Sequence, residues 1–478
     1  MSEKGEGLGL GKITMFAIGA TLASGAFSLS GDFAAGGAYP LAVLIGWAIS
    51  GVGMFTLTLC FFRLSVVKPE LTSGLYSYAK YGFGEYIGFN SAWGFWLSAL
   101  LGNISFITLF FASLGNFFPV FGSGSNGISV ILGSVMVWLF GVLVLRGVNE
   151  AIAINTVVVI AKVIPIGVMI AAIILAGAFD WDIFTSNMTG GAGSLPLMAQ
   201  IKSTVYTTVW VFIGIEGAVV ISGRAKSTAT AGKATVLSFL FLFVLYVLIS
   251  ILSMGVMTTE QLASLGNPPM AGVLEYVVGP WGAALVNIGV IISVGGALFT
   301  YTILCVDSIY APALQHCFPE SFTRQNKKGA PVGGVIITTV VTQLFLIIIY
   351  FNSATYQLCY TLSTSAIMVP YALSAFYCLK ITTAGEGMED SGKFRRFLIW
   401  LYTIAGSLYG IWMLYAGSLT NLLISALLYA PGTFLYIKAR RELGEKIFPA
   451  TVDRVAFVIL ILMALISLAL FISGDISL

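Results

Sequence analysis

Three ionisable residues lie within long apolar stretches of the sequence, where charged residues are rare. They are Lys162, Glu216 and Asp307. On insertion scales, a charged side chain at the centre of a membrane helix costs about 2.5–3.5 kcal/mol. Because this cost must be offset, such residues normally face a partner or a cavity, and these three are candidates for a polar pathway. For Lys162 a tether to backbone carbonyl groups is an equal alternative, and for Asp307 a partly solvated vestibule.

Two glycine-rich segments interrupt apolar stretches near mid-depth: ASGAF at 23–27 and GIEG at 214–217. An unwound turn leaves backbone N–H groups free at the start of a half-helix, and these donors suit a carboxylate. Irregular backbone is tolerated at membrane depth only where it is buried in protein or lines a cavity. Close helix packing would explain either segment alone, but two breaks at corresponding positions favour a binding site. Trp210, six residues before Glu216, and Tyr301, near the middle of the eighth span, are aromatic residues that could hold a cation by cation–π attraction.

The composition requires a membrane environment. Of the 478 residues, 58% are hydrophobic and 9% are charged, with a mean hydropathy of +0.97, whereas soluble domains have about 25% charged residues. Apolar stretches recur to the C-terminus, which a signal peptide does not explain. The five cysteines form no CxxC pair, so neither a metal site nor any other cofactor is predicted.

The sequence predicts an all-α integral membrane protein with about thirteen transmembrane helices of ~20 or more residues. They lie near 13–38, 41–62, 85–118, 127–145, 151–178, 198–222, 234–256, 281–315, 333–351, 357–379, 396–416, 418–437 and 455–473. The two breaks fall in the first and sixth spans. Because five spans separate their starts, the second set of five must be inverted, as in transporters built from inverted repeats.

Charge predicts the orientation and the division of the chain. If residues 1–12 are cytoplasmic, every Lys and Arg except Lys162 and Lys202 falls in a cytoplasmic segment, and the outer loops carry acids, Asp32 among them. This is the positive-inside pattern, so the net charge of +3 indicates topology and no nucleic acid partner. We expect a multi-pass protein of the bacterial cytoplasmic membrane, divided into a first repeat (13–178), a second repeat (198–380) and additional C-terminal helices (396–473).

Several blocks of sequence resemble the amino acid–polyamine–organocation superfamily, particularly its basic amino acid/polyamine antiporter branch. They are ASGAF at 23–27, PELTSGLYSYAKYGFGEYIGFNSAWGFW at 69–96, GN at 102–103, TVWVFIGIEGA at 208–218, SVGGALFTYT at 293–302 and MVPY at 368–371. The resemblance runs from about residue 11 to 440. It implies a five-plus-five inverted-repeat core with helices 1 and 6 broken.

The resemblance also implies roles at both ends of a substrate. Ser24, Gly25 and Ala26 match the turn that binds the substrate carboxylate. Ile213 and Gly214 match the turn whose carbonyl groups bind the substrate amine.

Further matches concern the substrate side chain and the gates. Asn103 and, one turn on, Phe106 match positions near the head group; Tyr301 matches a stacking tryptophan and Ser363 a nearby hydroxyl. Trp210 matches an outer-gate aromatic residue.

Glu216 and Tyr371 match proton-sensitive positions of an inner gate. Lys162 lies on the fifth helix, where its ammonium group could replace the charge of the sodium ion that sodium-coupled relatives bind. Four departures weaken a match to arginine/agmatine exchange: Phe95 for a gating tyrosine, Tyr301 for a tryptophan, the block SLSGDFAA at 28–35, and Asp307, an acid at an uncharged position that is more like arginine/ornithine exchangers. Ala23 also replaces a usual glycine.

The sequence therefore favours an antiporter that exchanges a basic amino acid for a related amino acid or amine, with arginine and ornithine first. Histidine/histamine exchange, lysine/cadaverine exchange and proton-coupled symport remain open. A channel is disfavoured because no ring of ligands is apparent, and an enzyme because HExxH and GxSxG are absent. The expected partners are small amino acids or amines and the lipid bilayer, with a homodimer as a possible assembly.

Overall fold

The computed structural model describes residues 9–71, 73–147, 151–186, 188–216, 227–352, 356–389 and 391–476. Within these ranges the regular structure is helical, apart from one isolated bridge between Gln325 and Pro331. Eleven helical segments of the described chain are long and apolar enough to cross a membrane, one of them, Leu419–Glu442, made of two consecutive helices. The predicted all-α membrane class is confirmed.

The nineteen α-helices of the described chain are α1 (Leu10–Thr21), α2 (Gly25–Ala35), α3 (Pro40–Val67), α4 (Leu75–Phe83), α5 (Glu85–Gly115), α6 (Gly127–Leu145), α7 (Ala151–Leu175), α8 (Trp181–Ser186), α9 (Leu197–Trp210), α10 (Thr228–Val256), α11 (Thr259–Ser264), α12 (Pro269–Val278), α13 (Pro280–Ala313), α14 (Val332–Asn352), α15 (Tyr356–Thr383), α16 (Lys393–Ala416), α17 (Leu419–Tyr429), α18 (Gly432–Glu442) and α19 (Thr451–Ser473).

The eleven candidate spans correspond to all the predicted spans except the first and the sixth. The first is divided into α1 and α2 by the turn at 22–24. The sixth begins as α9 and continues through turns at 211–214, and its remainder from Gly217 lies outside the described residues. The total of thirteen therefore stays a prediction. The predicted span 418–437 consists of two helices, α17 and α18, which meet at Pro431, a residue that cannot donate a backbone hydrogen bond.

Asp32 corrects the sequence analysis. It was expected in an outer loop, but it lies within α2 and is only 1% exposed. Hydropathy alone missed this because α2 is covered by distant parts of the chain, α11 and α12.

Burial identifies α5 and α15 as the centre of the molecule. In the most apolar 18-residue stretch of each helix, 89% of the residues of α5 and 78% of those of α15 are buried, whereas only 11% of those of α19 are. The helix α5 packs against both α13 and α15. These three helices, together with α2 and α9, carry the side chains of the candidate site.

Candidate substrate-binding site

The turn between α1 and α2 leaves a helix start inside the protein. The helix α2 begins at Gly25, and the Phe27 amide donates to the Ser24 carbonyl oxygen at 3.0 Å. The Ser24 side chain does not cap the helix, and its buried hydroxyl has no well-aligned hydrogen bond in the described chain, although the Tyr356 hydroxyl lies beside it. The first amide groups of a helix have no intrahelical partner, so those of Gly25 and Ala26 are available to an anion.

The second break follows α9. Residues 211–214 form turns, in which the Ile213 amide donates to the Trp210 carbonyl oxygen at 3.2 Å. Gly214 has a φ of +103°, a conformation that glycine adopts without the steric cost of a Cβ atom. Ile213 is buried beside it. The local sequence thus ends the helix within the protein interior.

Trp210 brings the two breaks into contact. A Cβ atom added to Gly25 would lie 2.8 Å from Trp210 Cδ1 and 2.9 Å from Val211 Cγ1, so only glycine permits this approach. The Trp210 indole nitrogen donates to the Tyr356 hydroxyl at 3.0 Å. Trp210 therefore lies directly over the start of α2.

Phe106 and Tyr301 continue the aromatic surface from Trp210. The ring centroids of Phe106 and Trp210 are 6.1 Å apart, and those of Phe106 and Tyr301 are 4.7 Å apart in an edge-to-face arrangement. Asn103, one turn before Phe106, donates to the Thr302 hydroxyl at 3.1 Å, while its buried Oδ1 accepts no hydrogen bond within the described chain. The structure thus brings Asn103, Phe106, Trp210 and Tyr301 together.

Ser363 lies on the same side of α5. Its hydroxyl donates to the Ser98 carbonyl oxygen at 2.7 Å, and it would lie 3.6 Å from a Cβ atom added to Gly102. A Trp210 ring atom would lie 3.3 Å from the same added atom. Ser363 therefore borders the aromatic group, with its proton already directed to α5.

Glu216 and Tyr371, expected at one gate, are in direct contact. The Tyr371 hydroxyl donates to Glu216 Oε2 at 2.5 Å, and the Gly214 amide donates to the same oxygen at 3.1 Å. The Tyr371 ring packs edge-on against Phe61 at a centroid distance of 5.3 Å. A change in the protonation of Glu216 would therefore act on both α15 and the second break.

Lys162 contacts the end of α1, just before the first break. Its ammonium group is buried and donates to the Gly19 carbonyl oxygen at 3.1 Å, in the last turn of α1. A cation is favourable at a helix C-terminus. The region of α7 that carries Lys162 also packs closely on α13, where Gly289 faces Pro165. The tether to a backbone carbonyl group is thus present.

Asp307 does not join this group. It lies on α13, six residues after Tyr301, and its side chain is exposed. None of the ion pairs in the described chain involves it.

Sequence reasoning missed a chain of polar residues beside Trp210. The Tyr356 hydroxyl lies 2.9 Å from the Ser28 hydroxyl, and Ser28 donates to Asp32 Oδ2 at 2.5 Å. The spacing of Ser28 and Asp32, four residues apart after the break, was an available signal because such residues share a helix face. Tyr356 had no comparable signal, since it is 328 residues from Ser28.

An all-helical membrane protein with a buried site at broken helices has the architecture of a secondary transporter. The chain belongs to the amino acid permease family, whose model matches residues 8–430.

Its curated relatives are bacterial transport proteins. It is similar to the arginine/ornithine antiporter of Pseudomonas aeruginosa, with 44% identity over 97% of this chain and 97% of the relative. It is 38% identical to the L-lysine transport protein of Corynebacterium glutamicum, over 90% of this chain and 88% of that protein. It is 35% identical to the arginine/agmatine antiporter of Chlamydia trachomatis, over 98% of each chain.

Proposed function

We propose that the protein is an antiporter that exchanges a basic amino acid for a related amino acid or amine, with arginine and ornithine as the favoured pair. The observation that carries the proposal is the contact between the two breaks, where uncapped amide groups at Gly25 and Ala26 lie under Trp210. The names of the relatives supply the class of substrate. Transport, rather than catalysis, is the activity that this arrangement supports.

In the proposed complex, the amide groups of Ser24, Gly25 and Ala26 hold the substrate carboxylate. The carbonyl groups of Ile213 and Gly214 accept from the α-amine. Zwitterionic substrates are thereby held by two half-helix ends, whose dipoles favour the respective charges.

The substrate side chain would extend along the aromatic surface of Phe106 and Tyr301 towards Asn103 and Ser363. The Asn103 Oδ1, buried without a partner in the described chain, is a ready acceptor for an ammonium or guanidinium group. Trp210 would close the site towards the outside.

Glu216 and Tyr371 would form the inner gate, and their 2.5 Å hydrogen bond is its closed contact. Asp307 would lie in the inner vestibule, where its exposure allows solvation. The Lys162 ammonium group, held against α1, would supply the charge that a sodium ion supplies in other transporters of this architecture, so exchange would need no sodium.

The proposed setting is the bacterial cytoplasmic membrane, with residues 1–12 in the cytoplasm and two inverted repeats at 13–178 and 198–380. Residues 396–473 would add helices outside the repeats. The distribution of Lys and Arg supports this orientation through the positive-inside rule. A homodimer is compatible with the many apolar side chains exposed on α16 and α19.

Counterflow into proteoliposomes tests the substrate assignment. Vesicles loaded with unlabelled arginine should accumulate labelled arginine, and external ornithine, lysine or agmatine should compete more strongly than neutral amino acids of similar size. Protein-free vesicles and vesicles loaded with glutamate are the controls. Equal accumulation in unloaded vesicles under a proton gradient would instead identify a symporter. Lysine is the second candidate because one relative carries that name.

A further inference from the structure

Asp32 is a buried carboxylate without a cationic neighbour in the described chain. Its side chain is 1% exposed, and none of the described ion pairs includes it. Ser28 donates to Oδ2 at 2.5 Å, whereas Oδ1 accepts no hydrogen bond of acceptable geometry, although the Gln357 side chain lies beside it. Burying an unpaired charge is costly, so Asp32 either is neutral in this state or is ionised only when a cation binds beside it.

The position of Asp32 relates it to the first break. Gly25, Ser28 and Asp32 are three and seven residues apart on α2, which places them along one face of the helix. At 1.5 Å per residue, Asp32 lies about 10 Å beyond Gly25 along the helix axis. It therefore lies beyond Trp210, on the outer side of the site in the proposed orientation.

A continuous chain of hydrogen bonds joins Asp32 to Trp210. The indole nitrogen of Trp210 donates to Tyr356 at 3.0 Å, the Tyr356 and Ser28 hydroxyls are 2.9 Å apart, and Ser28 donates to Asp32. Because the Ser28 proton is directed to Asp32, Tyr356 must donate to Ser28. All three donors thus point towards the carboxylate, which is the final acceptor.

The cover over Asp32 combines one close packing contact with two long hydrogen bonds. The helices α11 and α12 pack on α2, with Pro269 directly against Gly31. The amides of Asn267 and Gln357 exchange two hydrogen bonds of 3.4 Å, longer than the usual ~2.7–3.2 Å. A ligand that entered between α2 and this cover would reach Asp32 before it reached Trp210.

We propose that Asp32 is an outer binding station for the cationic group of an arriving substrate, an inference that rests on the proposed function. An ammonium or guanidinium group that binds the Asp32 carboxylate competes with Ser28 for it. Release of Ser28 weakens its bond to Tyr356, and Tyr356 in turn holds Trp210. Binding of a cation at Asp32 thereby releases Trp210, the outer gate residue. A neutral amino acid would not bind Asp32 in this way and would not release Trp210.

The test compares arginine with citrulline, which has a similar length but an uncharged ureido group. Binding of both is measured by calorimetry on the purified full chain, for wild type, Asp32→Asn and Asp32→Glu. Asp32→Asn should reduce the arginine-to-citrulline affinity ratio about tenfold to a hundredfold, the range of a charge-assisted hydrogen bond. Asp32→Glu, which keeps the charge, should retain most of the ratio.

Glu275→Gln is the matched control, since Glu275 is an exposed acid on α12, the helix that covers α2; its ratio should not change. If Asp32→Asn keeps the wild-type ratio within twofold, or loses both ligands equally, the proposal is overturned and Asp32 is a structural residue. If wild type itself binds no basic amino acid, the proposed function fails instead. External half-saturation for arginine in counterflow, expected to rise in Asp32→Asn, gives a second readout in the membrane.

Discussion

Gly25→Ala tests whether the two breaks must touch. The added Cβ atom would lie 2.8 Å from Trp210 Cδ1, 2.9 Å from Val211 Cγ1 and 3.0 Å from Trp210 Nε1. All three atoms belong to side chains, so Trp210 would have to turn away and would lose its hydrogen bond to Tyr356. Overpacking costs about 1–3 kcal/mol, and a lost hydrogen bond about 0.5–1.5 kcal/mol.

The state in which Trp210 packs on Gly25 should therefore be destabilised by at least about 1.5 kcal/mol. This lowers the population of that state more than tenfold. Arginine exchange in proteoliposomes should fall at least tenfold while the protein remains monodisperse in detergent. Gly167→Ala is the control, since an added Cβ atom there meets nothing within 4 Å, and it should exchange normally. Wild-type exchange by Gly25→Ala would refute the contact between Trp210 and the first break as the centre of the site.

Three further predictions concern the gate, the pocket and ion coupling. Glu216→Gln keeps a partner for Tyr371 but cannot ionise, so the pH profile of exchange should change more than the affinity; weak binding with an unchanged profile would make Glu216 a direct ligand. Tyr301→Ala should weaken the binding of basic substrates by up to about thirtyfold through loss of cation–π attraction. Asn103→Ala should change the order of affinities among arginine, lysine, ornithine and histidine. If this order is unchanged in both variants, the pocket does not lie at these residues. Replacement of sodium by choline should leave exchange intact, because Lys162 supplies the charge; transport that stops in choline would exclude this role.

The sequence was sufficient to locate eleven of the thirteen predicted spans and the position of both breaks. Apolar stretches of spanning length and the glycines at 25 and 214 are local signals, and the structure places a turn directly before Gly25 and at Gly214. The contact of Glu216 with Tyr371 could be expected only through the resemblance to a family, since the two residues are 155 positions apart.

Asp32 and Pro431 show what local sequence could not supply. An acid near the end of an apolar stretch resembles a loop residue, and its burial depends on Tyr356, α11 and α12, which are distant in sequence. The division at Pro431 was missed because hydropathy remained high on both sides of the proline. Hydropathy measures the preference for lipid, whereas partners and helix ends depend on tertiary packing and backbone hydrogen bonding.

The most direct test of the antiport mechanism is the stoichiometry of exchange. Proteoliposomes containing the full chain are loaded with tritiated ornithine and placed in medium with carbon-14 arginine. Antiport predicts that arginine enters and ornithine leaves in a ratio of about one to one, and that neither moves when the opposite side lacks a basic amino acid. Arginine entry without ornithine exit would contradict the account.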